Sequence, residues 1–385
     1  MRDVLQKSKN RLIAILLLSI IILCVNFNSY ADEKQISNDQ EQNKEIFIGR
    51  FEDYIFAQWC GNNALVVSGR KIGIEWIDIL SKKTIKISSP VIVPPRELWQ
   101  KGCSYGNDYP LNCTSDGRWV IYADRKSSRI DKGYKPPNDS DEPEDWDGGV
   151  IDLYRYDVTT GKTQRFAVVR ALGPFEAVSP DGTKVFLGGK HNSSIEMPEP
   201  KWDVVYFKNY DWVQSGALWF LDSSGIVMGQ NDPKSVEVEF FGKNGWAKRF
   251  ELKQFEYEPF SLAVDKANRI YFDGVEKGKK KIALYRCSIK NKNLSCEKVL
   301  EQVGNYKVLP NGDIIITETK DCIKYITLGQ GDGKCIAEKG DATLIGIRGI
   351  SPDGKWLAFV REKKIPKGTF FEKESNLYIL KLTNQ

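Results

Sequence analysis

A chain of 385 residues with 11% aromatic and 28% charged side chains has the make-up of a folded globular protein, not of a disordered tail. Of the formal charge of +5, Arg2, Lys7, Lys9 and Arg11 against Asp3 place +3 in the first 31 residues, which leaves about +2 for the rest. So small a surplus provides no field for gripping a phosphate backbone, and nucleic acid is not an expected partner.

In chain order, the basic residues up to Arg11 precede an apolar run from Leu12 to Phe27 and then Ser29-Tyr30-Ala31. Small residues at the first and third positions before a cut, after a basic and an apolar region, mark a secretory signal peptide, so residues 1–31 are expected to be removed. The run is short for a bilayer span, and no later segment approaches one. No integral membrane association is expected after cleavage, and the location implied is periplasmic or secreted. Residues 32–45 are polar and read as a flexible linker.

From residue 46 the chain repeats itself. The two fullest copies are Ala177-Val178-Ser179-Pro180-Asp181-Gly182-Thr183-Lys184-Val185-Phe186 and Gly349-Ile350-Ser351-Pro352-Asp353-Gly354-Lys355-Trp356-Leu357. Weaker copies centre on Asp116-Gly117, Ser223 and Pro310, and degenerate ones on Gly61 and Lys266; the last four spacings are 43, 43, 44 and 42 residues. Proline presets the first bend, aspartate or asparagine bonds back to the backbone, and glycine accepts a positive φ, so each turn joins two antiparallel strands. A second strand pair follows most turns, as in Leu153-Tyr154-Arg155-Tyr156-Asp157 with Thr163-Gln164-Arg165-Phe166. Four strands in 40–45 residues, repeated, is the period of a propeller blade.

The Ser-Pro-Asp-Gly copies, with their following Leu-Tyr-x-x-Asp-x-x-Thr-Gly-like strands, resemble the TolB-type, PD40 (WD40-like) β-propeller repeat over residues 46–385. The resemblance implies an all-β fold, a single propeller. It does not carry a function with it, because the repeat serves unrelated proteins. Seven turns predict seven four-stranded blades, or six if the Cys60 copy is not a member. The last copy lacks a fourth strand, which residues 45–51 can supply and so close the ring.

Seven cysteines follow the signal segment. Export makes disulfides their expected use. Cys287 with Cys296 and Cys322 with Cys335 flank equivalent hairpins of the fifth and sixth blades, predicting two local bridges. Cys60, Cys103 and Cys113 leave one further pair: Cys103–Cys113 is nearest in sequence and Cys60–Cys113 its rival. No C-x-x-C occurs and His191 is the only histidine, so neither a metal site nor a cofactor is expected.

Long insertions at 124–150, 188–203 and 361–375, with the connection 88–110, should share the face opposite the Ser-Pro-Asp-Gly turns. They and their edges carry Trp99, Tyr105, Tyr109, Tyr134, Trp146, Trp202, Tyr206, Tyr210, Trp212, Phe370 and Phe371. Singly, such residues pack insertions onto a rim; together they suggest a recognition surface for a protein or peptide. The acidic run 138–148 misses the calcium-loop spacing and reads as solvated. A non-catalytic binding propeller is therefore the expectation. The alternative is a carbohydrate-active or other hydrolytic propeller, with carboxylates such as Asp108, Asp147 and Asp203 meeting over the channel.

Overall fold

The computed structural model describes residues 45–52, 55–69, 71–89, 109–124, 150–170, 176–187, 203–206, 217–230, 235–256, 261–331, 333–364 and 373–382. The chain is an all-β protein, a single β-propeller. Strand β1 (Ile46–Phe51) is followed by a first sheet of β2 (Phe56–Cys60), β3 (Ala64–Gly69), β4 (Gly73–Asp78) and β5 (Thr84–Ser88). The second sheet holds β6 (Tyr109–Cys113), β7 (Trp119–Asp124), β8 (Val150–Asp157) and β9 (Lys162–Arg170). The third has three strands, β10 (Glu176–Val178), β11 (Lys184–Leu187) and β12 (Asp203–Tyr206). The fourth contains β13 (Ala217–Trp219), β14 (Gly225–Gln230), β15 (Ser235–Phe240) and β16 (Trp246–Glu251). The fifth contains β17 (Leu262–Val264), β18 (Ile270–Gly274), β19 (Ala283–Lys290) and β20 (Asn293–Glu301). The sixth contains β21 (Tyr306–Val308), β22 (Ile314–Glu318), β23 (Cys322–Thr327) and β24 (Lys334–Glu338). The last is β25 (Leu344–Ile350), β26 (Trp356–Lys364) and β27 (Lys373–Lys381), with β1 as its outermost member.

Six of these sheets are complete four-stranded blades, where seven were expected. The Cys60 copy, on whose absence the six-blade alternative rested, is a full blade. The sheet that departs is the third, in which β12 runs parallel to β11 after a connection of residues 188–202. A connection that long frees the strand from the hairpin geometry that forces antiparallel pairing. Ring closure follows the expected scheme: β1 pairs antiparallel with β27, Ile46 opposite Ile379 and Phe51 opposite Ser375.

Alternate residues of a strand face opposite sides of its sheet, so each blade buries one row against each neighbour. One such core joins Trp59, Leu65, Val67 and Ile77 of the first blade to Ala358, Val360, Leu377 and Ile379 of the last, with Ile48 and Phe51 of β1 sealed into it. Another joins Phe220, Val227, Val238 and Phe250 of the fourth blade to Phe272, Tyr285 and Cys287 of the fifth.

The repeated turns lie together on one face. In each full copy a buried hydroxyl organises the turn: Ser351 Oγ donates to Asp353 Oδ1 at 2.6 Å and accepts the Trp356 N–H at 2.9 Å, while Gly354 N–H donates to Ser351 O at 2.8 Å. Ser179 and Thr114 repeat the pattern. Neighbouring turns are then tied to each other. Ser115 N donates to Pro180 O at 2.8 Å, Asp181 N to Ser223 Oγ at 3.0 Å, and Asn268 Nδ2 to Asp222 Oδ2 at 3.1 Å. Lys266 N donates to Pro310 O at 2.9 Å, and Asp353 N to Asn62 Oδ1 at 2.9 Å. Gly312, at φ 75°, sits so close to the preceding blade that a Cβ would collide with Asp265, Arg269 and Tyr271. Gly61 and Gly117 meet backbone to backbone: a Cβ on Gly61 would lie 2.9 Å from the Gly117 Cα.

That last approach decides a disulfide. Cys113 bonds to Cys60, with Cα atoms 5.0 Å apart, and not to Cys103, which lies outside the described residues. Both partners end an innermost strand beside the touching turns, so the neighbouring blade, not the nearest cysteine in sequence, supplies the partner. Cys287 bonds to Cys296 as expected, the two being directly opposite in the β19–β20 register. The expected Cys322–Cys335 bridge is absent, and both thiols are free. An irregularity in the β23–β24 pairing sets Cys322 opposite Glu338 and Cys335 opposite Lys324, so the two cysteines are not directly paired. Burial and a hydrogen bond to the Cys322 thiol push the Cys335 thiol up to about 12, which disfavours the nucleophilic thiolate.

The two bridges close loops of 53 and 9 residues. In the chain-entropy account these contribute about 4 and about 2.5 kcal/mol. Denaturant unfolding in non-reducing buffer should therefore show Cys113→Ser to be the costlier of Cys113→Ser and Cys287→Ser.

Burial raises the Asp353 carboxyl, but the Ser351 hydroxyl and the Lys355 N–H outweigh it and leave it below the ordinary aspartate range. Stabilisation from a carboxylate lowered on folding is complete above its unfolded value of about 3.9 and fades as the pH falls through the folded value. Asn311 fills the same slot in the sixth blade, so Asp353→Asn should fold normally. Its melting temperature should lie below that of the wild type at neutral pH and converge on it in acid.

Candidate functional site

The innermost strands β2, β6, β10, β13, β17, β21 and β25 each touch the next, and β25 touches β2, so together they wall the central channel. A charged cluster lies in that wall between the sixth blade and the last. Glu318, which ends β22, accepts the Ile347 N–H at 2.5 Å and the Asn305 Nδ2 at 2.8 Å. Arg348 of β25 donates to Glu362 Oε1 at 2.7 Å and to Ile55 O at 3.2 Å, so it joins the last blade to the first. Lys373, at the start of β27, closes the other oxygen of Glu362 at 2.9 Å. Glu362 is 2% exposed and held in place by two cations.

Lys307 completes the cluster from β21. Its neighbours Tyr306 and Val308 are buried, whereas Lys307 is exposed. Burial among the surrounding strands pushes its ammonium down, and the Glu318 carboxylate opposes that. Burial likewise pushes Glu318 up, against its two amide donors, Arg348 and Lys307. A carboxyl raised and an amine lowered side by side are a common mark of a working site.

The sequence did not signal this cluster. Arg361-Glu362-Lys363-Lys364 reads as a solvated charge run, yet Glu362 is among the most buried polar residues. Of the sequence-derived candidates, Trp99, Tyr105, Tyr134, Trp146, Trp202, Tyr210, Trp212, Phe370 and Phe371 lie outside the described residues, as do Asp108, Asp147 and His191. Tyr109 opens β6 and Tyr206 ends β12, at the ends of their strands away from the belt of turns, and Asp203 opens β12. Among the described residues no group of three or more His, Cys, Asp or Glu is placed to hold a metal, and no helix is long and apolar enough to cross a membrane. A concavity of about 480 Å³ lies on the outer rim, lined by Lys248, Arg249, Glu251 and Gln254 with Phe250, Leu252 and Leu294.

No protein-family model matches the sequence, and no curated protein matches it. Among solved structures, an oligogalacturonate lyase from Vibrio parahaemolyticus is similar at 8% identity and a TM-score of 0.37, over 84% of this chain and 75% of that one. An oligogalacturonate lyase in complex with manganese is similar at 11% identity and a TM-score of 0.36, over 84% and 74%. These similarities are too distant to bear on activity or ligand.

Removing Arg348 would leave a buried carboxylate with one cation. Arg348→Met should cost about 3–5 kcal/mol in denaturant unfolding, and adding Glu362→Met should recover part of that loss.

Proposed function

We propose that this protein is an exported, non-catalytic propeller of TolB-type repeats that binds a protein or peptide partner on the face opposite the belt of turns. The observation that carries the reading is the division of labour between the two faces. On one, the turns are occupied with tying blade to blade. On the other, the flanking strands open and close the long connections β5–β6, β7–β8 and β26–β27, and β11 opens the connection to β12, which returns at the belt end because β12 runs parallel to β11. The last, first, second and third sheets follow one another round the ring, so these connections share one sector. Other connections at the same level are short, such as residues 319–321 between β22 and β23. Long loops on a rigid scaffold are where recognition residues collect. The third sheet counts in this reading as a seventh sector of the ring.

The hydrolytic alternative finds some support in the raised carboxyl of Glu318. Hydrolysis of a glycosidic bond uses two carboxyl groups in complementary roles, and the neighbouring Glu362 is committed to Arg348 and Lys373.

Replacing residues 126–148 by a short Gly-rich turn should leave the melting temperature nearly unchanged and abolish capture of the partners crosslinked to the full chain in its native envelope. An unchanged set of crosslinked partners would overturn the reading.

A further inference from the structure

Lys307 is the penultimate residue of its innermost strand. The residues at the same level of the other six are Trp59, Asn112, Ala177, Leu218, Ala263 and Gly349. All six are uncharged, so among these seven aligned strand positions Lys307 alone carries a formal charge. Because β21 is flanked by β17 and β25, an exposed side chain on it meets solvent through the channel. Lys307 makes no hydrogen bond and closes no ion pair among the described residues. The one charge that acts on it, Glu318, is held by Asn305 and the Ile347 N–H and also feels Arg348.

We infer that Lys307 anchors an anion subsite inside the channel and that the group it takes is a single carboxylate. The charges select that class. Arg348 and Lys373 hold Glu362, while Asn305 and the Ile347 N–H hold Glu318. The Lys307 charge sits on a compact ammonium with three donors, not on a planar fork suited to phosphate. The fixed Glu318 carboxylate nearby penalises a dianion. An incoming carboxylate gains a charge-assisted hydrogen bond from that ammonium. The subsite does not depend on the insertion face, and either can fail without the other.

Two sources offer such a group, a small free acid and the C-terminus of a peptide. Calorimetric or NMR titration of the full chain with propionate and with acetyl-trialanine, each beside its neutral amide, separates them. At least one acid should bind, its amide should not, and Lys307→Met should weaken binding by about tenfold or more while Lys307→Arg keeps most of it. Preference for acetyl-trialanine identifies a peptide terminus, and equal or better binding of propionate identifies a small acid. The variant lacking residues 126–148 should bind the acid as the full chain does. Binding of neither acid, binding of an amide as tight as its acid, or full binding by a folded Lys307→Met protein would overturn the inference.

Discussion

The rest of the molecule depends on the belt of turns on one face. In the second, third, fifth and last sheets the inner hairpin folds around a buried hydroxyl or carboxylate, and residues of the turns then reach the neighbouring repeat. Ser179, Ser351 and Asp265 are at most 1% exposed, so their polar atoms must find partners inside the protein, and they find them within the turn. A single hydrogen bond of this kind contributes only about 1 kcal/mol, but leaving one of its groups unpaired costs more. The belt therefore acts less as a sum of attractions than as a condition that all turns must meet together. The Cys60–Cys113 bridge lies in the same belt, at the junction where two glycines meet backbone to backbone.

A ring tied along one rim has consequences for the other. Strand ends at the far rim are released from the turn geometry and can carry connections of any length, because loop closure grows only slowly more costly with length. The third sheet shows the limit of that freedom. Its inner hairpin keeps the Ser-Pro-Asp-Gly turn intact, while the strand beyond the 188–202 connection enters parallel, and three strands of this sheet lie among the described residues. The belt preserves a blade's place in the ring even where its outer part departs from the repeat.

What could be read from the chain was whatever is local. The Ser-Pro-Asp-Gly turns, the hairpins following them and the Cys287–Cys296 pair are set within about ten residues, and those expectations stand. The closing strand was legible because the last repeat visibly lacks a member. Illegible features depend on register or on contact between blades. Whether Cys113 meets Cys60 or Cys103 is decided by how closely two turns approach across a blade boundary. Cys322 and Cys335 look equivalent to the fifth-blade pair until an irregularity in pairing moves them off register. Glu362 sits in a run of charged residues that resembles a solvated edge, and only the arrival of Arg348 and Lys373 from two other strands accounts for its burial.

The same distinction explains why the channel cluster escaped the sequence. Tyr306-Lys307-Val308 is an ordinary alternating strand, and a polar residue between two apolar ones reads as facing water at the surface. On an innermost strand that water is inside the ring. The repeat converts sequence position into depth: once every innermost strand is aligned on its turn, each residue number corresponds to a level in the channel, and a lone charge at one level becomes visible as an exception. An ammonium that closes no ion pair is less favourable than one met by an anion of its own. The fold offers Glu318 as a neighbour but fastens that carboxylate elsewhere, to an amide side chain and to the backbone of the next blade. The unmet charge of Lys307 is then a property of the closed ring itself, fixed by the belt that sets the register of the strand carrying it.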